Sequence, residues 1–167
     1  MNGLILYRSH YGNTKMVADA LAAAMVKLGH QAEVRDLRLP LPDLKDIDWA
    51  LIGAPTRMGR VTWKARWALR RLRWKGFGSK PLGVFDTYGP VSDDPQKSKE
   101  DEKWFLPGAA GMLLAGAQRL GLHVFPITLR CQVREWKGPL KEKEPERAAR
   151  FAGEFISFIM EHGRQSK

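Results

Sequence analysis

One cysteine, Cys131, stands in a chain of 167 residues. That excludes an internal disulfide framework and a multi-cysteine metal site, and it fits a reducing, cytoplasmic setting with Cys131 as a structural thiol. Long apolar runs are also missing. The longest mainly apolar stretch without Asp, Glu, Lys or Arg is Trp104 to Gln118. It is too short to cross a bilayer, and Pro107 and several glycines interrupt it, so no transmembrane segment is expected. No charged leader or cleavage pattern precedes the first apolar run, which predicts no signal peptide. The histidines, His10, His30, His123 and His162, lack the spacing of metal ligands and are expected in surface or packing roles.

Acid is absent from one segment. Between Trp49 and Phe85 there is no Asp or Glu, yet nine bases occur: Arg57, Arg60, Lys64, Arg66, Arg70, Arg71, Arg73, Lys75 and Lys80. The whole chain has 28 Lys and Arg against 18 Asp and Glu. Removing those nine leaves 19 bases against 18 acids, so the excess charge belongs to one stretch and predicts a basic patch.

What is present alternates regularly. Gly3 to Arg8 reads as a buried strand. Thr14 to Leu28 reads as a helix, with Val17, Leu21, Ala24 and Leu28 on one side and Gly29 closing it. Gln31 to Leu37 alternates like an edge strand. A proline-rich link leads to a strand at Trp49 to Gly53, a helix at Thr62 to Lys75 and a strand at Lys80 to Thr87. Tyr88 to Leu106 is a long polar segment, expected as a loop or lid. Pro107 to Gly121 predicts a helix and His123 to Arg130 a strand. A last helix starts near Pro145 and ends at Gly163, with Phe151, Phe155 and Phe158 or Ile159 inside, and the tail from Glu161 is expected to fray. A single domain covers residues 1–167.

This succession predicts an α/β protein with a five-stranded parallel sheet and helices on both faces. The helix-poor link between the second and third strands suits a crossing beneath the first strand, giving strand order 2-1-3-4-5. Ligands bind such sheets beyond the carboxyl ends of the strands, where the order reverses. The loops after the first, third and fourth strands are therefore the ones to watch.

The first of these reads Ser9-His10-Tyr11-Gly12-Asn13-Thr14. Two hydroxyls, a glycine turn and successive amides at a helix start can cradle a phosphate. The same residues can also form a plain strand-to-helix turn with Thr14 as N-cap. The loop is neither a Walker A loop nor a GxGxxG fingerprint.

SHYGNT after an apolar strand resembles the S/T-x-x-G-x-T phosphate loop of flavodoxins. Pro55-Thr56-Arg57-Met58-Gly59 and Thr87-Tyr88-Gly89 look like the loops on either side of the flavin. The order of the three is most similar to the flavodoxin domain of flavodiiron proteins, over residues 3 to about 161. The resemblance implies a flavodoxin-like three-layer sandwich that binds FMN and carries electrons between redox partners. A flavin-dependent NAD(P)H:quinone-type or small-acceptor reductase is the alternative. No His/Asp/Glu cluster like that of the di-iron domain is found, so oxygen or nitric oxide reduction at iron is not expected. The implied roles are phosphate binding by Ser9, Thr14 and the amides of His10 to Thr14, and flavin packing on Tyr88. The Met58-Gly59 peptide would turn its carbonyl toward the flavin N5. With no acid nearby, and Arg57 and Arg60 close in sequence, a less negative potential than in acidic flavodoxins is expected.

The helix at 62–75 adds a second pattern. Val61, Ala65, Ala68, Leu69 and Leu72 gather on one side; Trp63, Trp67 and Trp74 gather opposite, among arginines. Either the tryptophans are covered by the polar segment 88–106, or they form a docking surface for an acidic redox partner or for self-association. An anionic membrane is less favoured, and nucleic acid is not favoured.

Overall fold

The computed structural model describes residues 1–165. Five strands, β1 (Asn2–Tyr7), β2 (Gln31–Asp36), β3 (Trp49–Pro55), β4 (Leu82–Tyr88) and β5 (Val124–Gln132), alternate with α1 (Asn13–Lys27), α2 (Trp63–Trp74), α3 (Pro95–Trp104), α4 (Gly108–Arg119) and α5 (Glu144–Gln165). All neighbouring strands are parallel, in the order β2-β1-β3-β4-β5. The predicted order is the observed one.

Two apolar cores follow from strand alternation. Ile5, Trp49, Leu51 and Phe85 face one side, where Val17, Leu21 and Met25 of α1 and Phe151 and Phe155 of α5 cover them. Leu4, Leu6, Ile52 and Val84 face the other, under Leu69 and Leu72 of α2 and Leu113 of α4. Each fully buried aliphatic or aromatic side chain contributes about 1.5–3 kcal/mol. Ile159 continues the inner stripe of α5, while Phe158 lies beside it against Phe125, with ring centroids 5.0 Å apart.

Two close approaches seat the sheet's aromatic rings. Gly3 is the register partner of Trp49, and a Cβ there would come within 2.0 Å of the indole. Gly53 is the partner of Phe85, and a Cβ there would meet its ring at 2.1 Å. Each ring lies across the neighbouring strand where that strand has no side chain.

Two expectations are corrected. The polar segment 88–106 is not one loop: it carries α3, started by Asp94, whose side chain accepts from the Gln96 amide at 3.0 Å, with Pro95 in the first turn. No residue of α3 is buried, so it has no apolar period to betray it. The last helix does not stop at Gly163 but continues to Gln165. An interior glycine costs only about 1 kcal/mol, which the packed stripe upstream outweighs. The expected frayed tail from Glu161 is thus helical as far as Gln165; residues 166–167 lie outside the described residues. Among the described residues, no helix is long and apolar enough to cross a membrane, and no His/Cys/Asp/Glu group could hold a metal.

Candidate functional site

β1, β3 and β4 deliver their loops to one edge of the sheet. After β1 the chain turns at Gly12, whose φ of +92° is a left-handed conformation that L side chains avoid. Gly12, not Thr14, is the N-cap of α1, and no side chain caps the helix. The reading of Thr14 as a cap is thereby corrected. The Gly12 amide donates to Ser9 Oγ at 2.9 Å, which leaves the Ser9 hydroxyl proton for another acceptor. The first-turn amides of α1 have no intrahelical partner, so they and the helix dipole present positive charge to the cleft. Thr14 is buried in that turn, its Oγ1 2.8 Å from Thr87 Oγ1 on β4. This contact joins the first loop to the third.

After β3, Pro55 and Thr56 lead into a tight hairpin. Arg57 and Arg60 exchange two backbone hydrogen bonds, of 3.0 and 2.9 Å. Met58 (φ +48°) and Gly59 (φ +70°) are both left-handed, as in a type I′ turn. A Cβ on Gly59 would sit 3.3 Å from the Trp104 carbonyl oxygen, so the hairpin tip rests on the α3–α4 connection.

After β4, a buried polar network holds the second and third loops together. Asp86 is fully buried. It accepts from the Thr56 hydroxyl at 2.7 Å, from the Ala110 amide at 3.2 Å and from Arg130 Nε at 3.1 Å. Burial pushes its carboxyl above the usual range, opposed by the Arg130 charge and these donors. Thr56 Oγ1 in turn accepts from the Ala109 amide at 2.6 Å, so the start of α4 is tied to the same cluster.

Tyr88 joins this network and also borders the cleft. The Arg130 guanidinium is 4.3 Å from its ring centroid, and Phe105 packs at 5.8 Å. The Tyr88 hydroxyl accepts from Gln132 Nε2 at 2.9 Å, and burial raises its pKa. The ring is only 9% exposed, although Tyr88 borders the cleft.

A fourth segment, missed from sequence, completes the wall. A turn after β5 is closed by the Val133–Leu140 bridge. It is fixed to α1 by the Asn13 side-chain amide, which donates to the Lys137 carbonyl at 3.0 Å. Trp136 on this turn is 73% exposed and faces the cleft together with Val133.

The result is one cleft of about 280 Å³. Ser9, His10, Tyr11, Asn13, Thr14, Pro55, Thr56, Arg57, Met58, Thr87, Tyr88 and Gly89 all line it. Gly12 and Gly59 shape its loops without lining it. Uncapped amides with two hydroxyls at one end suit a phosphate, and the aromatic and apolar walls suit a planar ring. Cys131 is buried, with burial pushing its thiol far upward, so it is not a poised thiolate.

A doubly wound sheet of this order, with an anion cradle after β1 and a cleft at the switch point, defines a mononucleotide-binding protein; flavodoxin, with its FMN, is the known example of that arrangement. The comparisons with known proteins agree. The flavodoxin-domain profile matches residues 4–108. A diflavin flavoprotein of Nostoc sp. is 33% identical over 90 residues, which cover 51% of this chain and 16% of that protein. The chain thus spans about one-sixth of the length of the curated relatives it matches. An archaeal flavodoxin superposes with a TM-score of 0.73 at 18% identity, covering 96% of this chain and 99% of that one. A flavodiiron core from Synechocystis sp. gives 0.72 at 17% identity, covering 96% of this chain and 36% of that one. At such identities these structures establish the fold alone. The chain belongs to the flavodoxin-domain family. The cofactor of that family is FMN, and the donor set of the cleft fits it.

Proposed function

We propose that this chain is an FMN-bearing electron carrier of the cytoplasm, passing electrons between redox partners and converting no substrate of its own. The observation that carries the reading is the continuity of the phosphate cradle with the ring-sized cleft through the Thr14–Thr87 contact. The relatives' description as diflavin flavoproteins supports it. FMN, when bound, supplies one- and two-electron redox chemistry. The chain's own residues would do the rest. The α1 amides and the Ser9 hydroxyl bind the phosphate without a lysine or arginine gripping it. Trp136 would pack on the ring together with Tyr88, one of whose faces Arg130 occupies. The Met58 carbonyl would accept a hydrogen bond from the protonated N5 once the Met58-Gly59 peptide turns, which reverses φ at Gly59, a change glycine tolerates. Arg57 adds positive charge at the rim.

The test is to soak purified protein in FMN and record its spectrum and stoichiometry, then to assay NADH and NADPH oxidation without a partner. The expected result is one tightly held FMN and no sustained turnover. Protein that stays colourless in excess FMN overturns the flavin reading. Sustained NAD(P)H oxidation with an added quinone establishes the reductase alternative instead.

A further inference from the structure

We propose that the outward face of α2, continued through the Arg57–Arg60 hairpin, is the docking surface for an acidic redox protein. This rests on the electron-carrier reading, because it supplies that carrier's partner. The first observation is charge without a counterpart. Among the described residues, carboxylates pair with Lys15, Arg35, Arg38, Arg130, Arg134, Lys141 and Arg147. None of the nine bases between Trp49 and Phe85 has one. Six of those nine are arginines, whose planar fork matches carboxylates two bonds at a time.

The second observation is aromatic surface left in water. Ala65, Ala68, Leu69 and Leu72 bury the inner side of α2. Trp63, Trp67 and Trp74 remain 70%, 42% and 69% exposed, so segment 88–106 does not cover them. Trp67 and Trp74 form an edge-to-face pair at 5.3 Å. Tryptophan and arginine together are the composition of protein-interface hot spots.

The third observation is shape. One groove of about 410 Å³ runs between α2 and the link at Leu37 to Leu41, with Trp63, Trp67 and Arg71 on its wall. Another, of about 430 Å³, lies between α2 and α4 and is lined by Arg66, Arg70 and Arg119. Grooves receive protruding side chains; a bilayer surface offers none. A second copy of this chain is a poor occupant, because a two-fold contact would set the same unpaired positive charges against each other. The acid-free stretch also reaches the cleft itself, since Arg57 and Met58 line it. A partner seated here lies next to the flavin site.

The test uses the FMN-loaded protein and, as probe, an acidic plant-type [2Fe–2S] ferredoxin, reduced, as electron donor. Stopped-flow reduction of the flavin is followed from about 20 mM to about 500 mM salt. The rate should fall at least about tenfold over that range. At low salt, Arg66→Glu/Arg70→Glu should slow it by about tenfold or more, and Trp67→Ala/Trp74→Ala should weaken ferredoxin binding, with flavin spectrum and FMN affinity unchanged. Binding is also titrated with oxidised ferredoxin and FMN-free protein. A colourless protein then defeats the flavin reading while the surface is still judged. Wild-type ferredoxin affinity and rate in both variants would overturn the proposal. So would binding to phosphatidylcholine–phosphatidylglycerol vesicles that the variants abolish while ferredoxin binding persists, or a concentration-dependent dimer that they dissolve.

Discussion

Replacing Thr56 by valine removes a single oxygen at the junction of the second loop, the third loop and α4. That oxygen donates to Asp86 at 2.7 Å and accepts from the Ala109 amide at 2.6 Å. Valine keeps the shape, so packing is conserved and the polar loss is isolated. The bond to an ionised carboxylate contributes about 1.5–3 kcal/mol, and a buried amide left without an acceptor costs about 1–3 kcal/mol. Ala109 and Asp86 are both fully buried, so water cannot replace either bond. A combined loss of about 2.5–6 kcal/mol is expected. At about 2–4 °C per kcal/mol for a chain of this size, Tm falls by about 5–24 °C. Thr56→Ser keeps the oxygen and should lose no more than about 1 kcal/mol, the cost of one methyl. The pH dependence has a definite sign. Burial already raises the Asp86 carboxyl, so its folded form favours the proton and this group's contribution is lost as pH rises through the folded pKa. Losing the Thr56 donor moves that pKa further up. The valine penalty should therefore grow with pH and shrink toward acid, where Asp86 is protonated in both proteins. Urea denaturation at several pH values is the assay. A valine variant within about 1 kcal/mol of wild type, or a serine variant as damaged as valine, would refute the reasoning.

Trp136→Ala should weaken FMN binding by about two- to tenfold, from the loss of about 0.5–1.5 kcal/mol of aromatic packing, while Tyr88→Leu should act mainly on stability; fluorescence titration and melting separate the two. Arg57→Gln removes a rim cation, and about 1 kcal/mol of lost attraction would lower the potential of the first one-electron step by about 40 mV in a redox titration. Wild type should titrate less negative than acidic flavodoxins. Cys131 should resist thiol reagents until the protein unfolds, since its thiol is buried and its pKa raised; rapid labelling of native protein would contradict that.

The sheet order and the glycine turn that opens α1 were legible because both are written locally. Strand and helix periods, the helix-poor link before Trp49 and the run from Ser9 to Thr14 each lie within one stretch of chain. What the sequence hid was set by distant partners. Trp136 reaches the cleft through a bond between Asn13 and Lys137, 124 positions apart. Arg130, on another strand, stacks on one face of Tyr88, a contact that no local pattern announces. The side of α2 that bears tryptophan was visible as a pattern; only the packing of the described residues shows that Trp63, Trp67 and Trp74 stay exposed. The helix α3 escaped because its evidence is a start signal without an apolar stripe.

The glycines beneath Trp49 and Phe85 bear on how the chain finds its alignment. Parallel strands are slow to pair, and near-miss pairings are the usual trap. Were β1 to slide two places along β3, the faces would still match, but the indole would land on Ile5 or on Met1 rather than on bare backbone. The flat plate of each ring accepts one vacancy and rejects its neighbours, so mispaired intermediates are penalised before either helical layer closes.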